Sequence, residues 1–155
     1  MNKPIKNRNL PLLLSQARES VISHFRPLLN HFGLTEQQWR VLRVLCEQTS
    51  AEPRELCEIC QILSPSMAGI LKRLEEMGLV RKEPVQGDKR RVKISLSPQS
   101  KSLIDEIIPL IRKQYQLLEE TWGEELVNQL YDTLDACLAV KDKPVPHVEL
   151  PERNA

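Results

Sequence analysis

Two short stretches of the chain carry side chains suited to reading a polyanion. In the first, Ser64-Pro65-Ser66-Met67-Ala68-Gly69-Ile70-Leu71-Lys72-Arg73, small and hydroxyl-bearing residues precede two cations; in the second, Asp88-Lys89-Arg90-Arg91 follows the turn residues Gln86 and Gly87. Wound as a helix, the first stretch gathers Met67, Ile70, Leu71, Leu74 and Met77 on one face and Ser66, Gly69, Lys72 and Arg73 on the other. Such a helix fits the major groove of DNA. Ser66, Met67 and Gly69 would meet base edges or thymine methyls, and Lys72 or Arg73 a phosphate or a guanine. Met67 serves the buried face equally well. Ser64 is expected to cap the helix and touch phosphate, and Pro65 sits where a missing N–H is harmless. Arg90, flanked by Lys89 and Arg91 at the tip of a ribbon, could enter an A·T-rich minor groove whose potential attracts a guanidinium. Asp88 could hold it by a charge-assisted pair. Alone, that Asp-x-Arg pattern equally describes a solvated ion pair.

A second group suits a different partner. Trp39 offers an aromatic wall, Arg40 and Arg43 offer cations, and Arg18 and His24 lie on an earlier helix. A small aromatic acid would need a cation for its carboxylate and an apolar wall for its ring, with His24 able to hydrogen-bond a polar substituent. The bland alternative makes Trp39 a core residue and pairs the arginines with acids. Cys57-Glu58-Ile59-Cys60 is a solitary CxxC, and His24, His31 and His147 have no ligand spacing, so neither a metal nor a cofactor is expected. No nucleophile elbow or phosphate-binding glycine loop occurs, and catalysis is not expected.

The 155 residues carry a net charge of +1, which selects no partner by itself, but the charge is unevenly placed. Residues 72–93 hold eight Lys or Arg against four acids, and residues 105–135 hold eight acids against two bases. A basic face on an acidic body is expected where one face meets phosphate. No apolar run approaches a membrane span, and the charged N-terminus argues against a secretory signal. Four cysteines in that setting suggest reduced thiols and a cytoplasmic location.

The elements that must position these groups follow from periodicity. An N-terminal arm, 1–9, precedes a helix over about 10–32 that Pro27 is expected to kink. Thr35 and Gln38 form a capping box, and Leu34 with Trp39 a hydrophobic staple. The helix they start is expected to bury Trp39, Leu42, Leu45 and Cys46. A shorter helix, Pro53 to about Ile62, turns Leu56, Ile59 and Leu63 inward and completes a helix-turn-helix with the Ser64 helix, which Gly78 ends. Val92, Ile94 and Leu96 alternate with polar residues as in a half-buried strand. Ser97-Pro98 opens a long helix containing Pro109, and Gly123 separates a last helix with Leu126, Leu130, Leu134, Cys137 and Leu138 on one face. Residues 141–155 read as a tail. The fold class is therefore mainly α with a small β-wing: a winged helix-turn-helix, about 34–97, between terminal helices, about 10–32 and 98–140. Those terminal helices carry more apolar surface than one small module covers, and a two-fold pairing would bury it.

The chain resembles the multiple antibiotic resistance regulator (MarR) family of winged-helix transcription factors. The resemblance rests on Leu56-Cys57-Glu58-Ile59, on Leu74-Glu75-Glu76-Met77-Gly78-Leu79-Val80-Arg81, and on Asp88-x-Arg90 followed by Val92-x-Ile94-x-Leu96-Ser97. It implies a homodimer on a double-stranded operator and assigns the wing roles to Asp88 and Arg90. It also implies an aromatic-acid pocket where the Trp39 helix meets its neighbours. Leu14-Ser15-Gln16-Ala17-Arg18-Glu19, Phe25-Arg26-Pro27 and Leu34 through Arg40 resemble the members that repress homoprotocatechuate (4-hydroxyphenylacetate) degradation. That narrower likeness implies repression released by a phenolic acid. A regulator of the same fold sensing another lipophilic acid or thiol oxidation, and a helical metal- or protein-binding adaptor, stay open as alternatives.

Overall fold

In the computed structural model, described for residues 8–152, the order of elements follows the expected plan with one added strand and the first helix divided in two. The helices are α1 (Leu10–Ile22), α2 (Arg26–His31), α3 (Glu36–Gln48), α4 (Pro53–Cys60), α5 (Ser64–Glu76), α6 (Pro98–Trp122) and α7 (Glu124–Ala139). The strands are β1 (Ser50–Ala51), β2 (Val80–Val85) and β3 (Asp88–Leu96). They form one antiparallel sheet in the order β1-β3-β2, with Ser50 opposite Ser95, Val80 opposite Leu96 and a bulge at Pro84/Val85. The chain divides into two compact units, one ending at Gln114 and one beginning at Tyr115, with the boundary inside α6. The expected N-terminal arm lies outside the described residues except for Arg8 and Asn9. Among the described residues, no helix is long and apolar enough to cross a membrane.

In the first unit the core is built by α2 to α5, β3 and the start of α6. Leu29, Leu34, Leu42, Leu45, Leu56, Met67, Leu74, Ile94 and Ile107 are fully buried. Each contributes about 1.5–3 kcal/mol on leaving water. The capping box is present: Gln38 N–H donates to Thr35 Oγ1 at 3.1 Å and Thr35 N–H to Gln38 Oε1 at 2.9 Å. Leu34 and Trp39 are both buried, as a staple requires.

Several expectations are corrected. Residues 10–32 are two helices rather than one kinked helix. The break falls at Ser23–Phe25, so Pro27 enters the first turn of α2, where no hydrogen bond is lost. Trp39, Leu42 and Leu45 are buried as expected, but Cys46 is exposed, because the buried stripe of α3 is completed by Gln38 and Val41. Ile59 and Leu63 also face solvent: α4 stops at Cys60 and Gln61 turns left-handed, which takes Leu63 out of helical phase and leaves Leu56 and Cys60 inward. Ser64 is not the cap of α5. Leu63 holds the extended cap conformation without a side-chain bond, and Ser64 and Pro65 lie in the first turn.

Gly78 ends α5 as expected. Its φ is +71°, Leu79 N–H bonds Leu74 O and Gly78 N–H bonds Glu75 O, both at 2.9 Å, the pattern of a Schellman cap. Ser97 then locks this corner to α6: its hydroxyl donates to Gly78 O at 2.6 Å and accepts from Ser100 N–H at 3.2 Å. The helix α6 runs unbroken through Pro109. In the second unit, Val127 is the buried residue of α7, while Leu126, Tyr131, Leu134 and Leu138 are exposed.

Candidate functional site

The outward face of α5 is the one the sequence indicates. Ser64, Pro65, Ser66, Gly69, Lys72 and Arg73 are all exposed. Met67 is not among them: at 1% exposure it packs in the core, which leaves it no reach to a base. Arg73 is paired with Glu76 at 3.4 Å, one helical turn on. Lys82 on β2 reaches Glu75 at 3.1 Å and ties the ribbon to the back of α5.

At the ribbon tip, Asp88 accepts two bonds from Arg90, the backbone N–H at 3.0 Å and Nε at 3.4 Å. The Arg90 side chain is nevertheless 94% exposed, held at its root and open at its head. Lys89 is also exposed. Arg91 differs: its guanidinium makes a two-pronged pair with the Glu52 carboxylate at the start of α4, Nε to Oε2 at 3.2 Å with Nη2 bonded to Oε1. Between α4, α5 and the ribbon lies a groove of about 770 Å3, with Arg54, Lys82, Arg90 and Arg91 against Glu52 in its lining. Each of these cations also has a carboxylate partner, Arg54 with Glu58 at 3.3 Å, Lys82 with Glu75, Arg90 with Asp88 and Arg91 with Glu52, and of the four side chains those of Arg54 and Arg90 are the most exposed.

The second group gathers only in part. Arg18 of α1 and Arg40 of α3 converge on Glu36, Arg18 at 2.8 Å, and Arg40 also donates to Cys60 O at 2.6 Å. The cluster joins α1, α3 and the end of α4. Burial pushes the Glu36 carboxyl up, but bonds from Arg40 and Arg18 outweigh it and hold its pKa below the ordinary value. Trp39 is buried in the core, Arg43 pairs with Glu47 at 3.5 Å, and His24 lies exposed in the turn after α1. Burial pushes the Cys60 thiol up, whereas Cys57 lines the groove. Among the described residues no group of His, Cys, Asp and Glu could hold a metal ion.

Residues 32–91, the stretch containing α3 to the ribbon tip, match the model of the MarR family. The transcriptional regulator FarR of Neisseria gonorrhoeae is 36% identical over 88% of this chain and 94% of its own length. The chain belongs to the MarR family. The homoprotocatechuate degradative operon repressor of Escherichia coli is likewise 36% identical, over 85% of this chain and 89% of that protein. Among solved structures, NadR in complex with 4-hydroxyphenylacetate is 37% identical and superposes with a TM-score of 0.73, covering 88% of this chain and 96% of that one. This MarR-family chain is a transcriptional regulator with the winged-helix fold.

Two groups that organise the MarR site were not singled out from the sequence. Glu36 was visible only as a neighbour of the capping box, although its spacing to Arg40 is that of a helical ion pair. Glu52 carried no signal, because its partner Arg91 is 39 residues away.

Proposed function

We propose that this protein is a homodimeric repressor whose α5 helices enter successive major grooves of a pseudo-palindromic operator, about 34–36 Å apart. The observation that carries this reading is the joint exposure of the polar α5 face and of the Arg90 side chain at the tip of the β2–β3 ribbon. Ser64, Pro65, Ser66 and Gly69 allow close approach. Lys72, Arg73 and Lys89 supply phosphate contacts, and Arg90 enters the minor groove. Residues 10–140 act as one MarR-type domain, with helices over 10–32 and 98–140 pairing the two copies. The protein works in the cytoplasm, where its operator is.

The effector is a small phenolic carboxylate such as 4-hydroxyphenylacetate or homoprotocatechuate. Support comes from the Glu36 cluster, where two guanidinium groups share one carboxylate and leave a net positive charge that a second anion would neutralise. Arg18, Arg40 and Arg43 offer cations to the ligand carboxylate, Trp39 walls the ring, and His24 bonds the phenol. The complex of NadR, named for the same acid, points the same way. Release from DNA requires that the ligand bind the non-DNA state better, since only differential affinity shifts the equilibrium. Rearranging the Arg18–Glu36–Arg40 cluster, which joins α1 to the helix-turn-helix, supplies that difference.

Fluorescence anisotropy on the duplex upstream of this protein's own gene tests the reading, with and without each acid. Tight binding released by either acid and not by benzoate is expected. Tight binding indifferent to both would discard the effector, and no binding at moderate salt would discard the repressor.

A further inference from the structure

The ribbon is tied to the helices by two ion pairs, one from each strand, and these anchors are not equivalent. Lys82 of β2 meets Glu75 on α5 at 3.1 Å through a single flexible ammonium. Arg91 of β3 meets Glu52 through both prongs of a planar guanidinium, a geometry that fixes direction as well as distance. Glu52 is itself set by its surroundings. Its backbone N–H donates to the Glu55 carboxylate at 2.7 Å, and Pro53 follows at the first position of α4. The Glu52 side chain is only 22% exposed although it sits at the protein surface. The pair holds the Glu52 carboxyl below its ordinary pKa through the Arg91 hydrogen bond, so it stays charged at neutral pH.

An exposed ion pair contributes little to folding stability. Its location suggests another role. Arg91 follows Arg90 directly, so the pair fixes the strand one residue away from the side chain that leaves the surface. Chains that must place a guanidinium in a narrow groove lose affinity when its carrier wanders, because the ordering must then be supplied on binding. Resting on the DNA-binding reading above, we infer that Glu52 and Arg91 form a strap that positions the wing for Arg90, and that Arg91 is a positioning residue rather than a phosphate contact.

This assignment and the direct-contact alternative predict opposite signs for one substitution. Glu52→Gln removes a negative charge from the DNA face and releases Arg91. If Arg91 were a phosphate contact held in check, binding would tighten. As a strap, its release weakens binding to a duplex selected by the wild-type protein from a randomised pool, by about threefold to tenfold. Arg91→Lys, which keeps the charge and loses the fork, should weaken binding by a similar factor. The exchange Glu52→Arg with Arg91→Glu leaves net charge unchanged and should recover most of the loss.

The strap is also read without DNA. In the full-length free protein, trypsin should cut after Lys89 and Arg90 faster in Glu52→Gln than in wild type, followed by the mass of the wing fragments, with circular dichroism showing both folded. Faster cutting with weaker binding and recovery on exchange supports the strap. Unchanged cutting, tighter binding in Glu52→Gln, or an exchange that recovers nothing overturns it. A randomised pool from which wild type selects no duplex would instead overturn the DNA reading, and the positioning role with it.

Discussion

Arg90 and Arg91 are neighbours in sequence but not in circumstance, since one guanidinium is 94% exposed at the ribbon tip and the other is committed to Glu52. Arg90→Ala should therefore weaken operator and unrelated duplex alike and lower the salt slope by about 1, as loss of one groove-bound cation requires. Unchanged affinity for both would remove Arg90 from the interface. Glu36 makes the other prediction at this scale. Its pKa is lower in the folded protein than in the unfolded chain, so its stabilisation is complete above the unfolded value and is lost as pH falls through the folded one. Glu36→Gln should cost about 1–2 kcal/mol at neutral pH. The gap from wild type should close in acid, which urea unfolding at a series of pH values will measure; a gap independent of pH would refute the pairing. Residue chemistry was legible in sequence where it is local. Asp88 bonds Arg90 two residues away, as its spacing implied. The partners of Arg18 and Arg91 were not legible, because tertiary folding alone brings α1 to α3 and the ribbon to α4.

At the scale of elements, the corner between α5 and α6 joins the recognition helix to the rest of the unit. Gly78 holds φ +71°, its carbonyl accepts from the Ser97 hydroxyl, and a Cβ there would lie 3.0 Å from Gln99 Oε1. Gly78→Ala should lose about 1–2 kcal/mol from backbone strain alone. A thermal melt will read it, and a variant as stable as wild type would show that the corner relaxes freely. The glycine was readable as a stop signal, as were the capping box and the Ser97 turn, because each is a local rule obeyed within four residues. Inward faces were read less well. Cys46 and Ile59 were expected inside on periodicity, but the α3 stripe takes in Gln38 and Val41 rather than Cys46, and α4 is too short to carry the pattern to Leu63. The two-residue strand β1 was not foreseen either; it exists through pairing with Ser95 and Ile94 of β3, not through its own sequence.

At the scale of the whole molecule, the proposed dimer makes the strongest demand on α7. Leu126, Tyr131, Leu134 and Leu138 are 53%, 51%, 38% and 62% exposed, and the helix buries Val127 alone. A row of that kind marks an interaction surface rather than a solvent face. A second copy fits it, because a two-fold contact needs only that one patch be complementary to itself. Two α5 helices on one dimer make the second half-site contact intramolecular, which raises affinity far beyond either half alone. Leu134→Glu with Leu138→Glu places like charges against each other across such an axis while leaving α5, the wing and the Glu36 cluster untouched. Light scattering should then report a monomer, and operator affinity should fall by about 100-fold. Weak binding to unrelated duplex should persist, since each lobe keeps Lys72, Arg73, Lys89 and Arg90. A variant that stays dimeric would place the interface elsewhere. A monomer that retains full operator affinity would remove the need for two-fold recognition altogether.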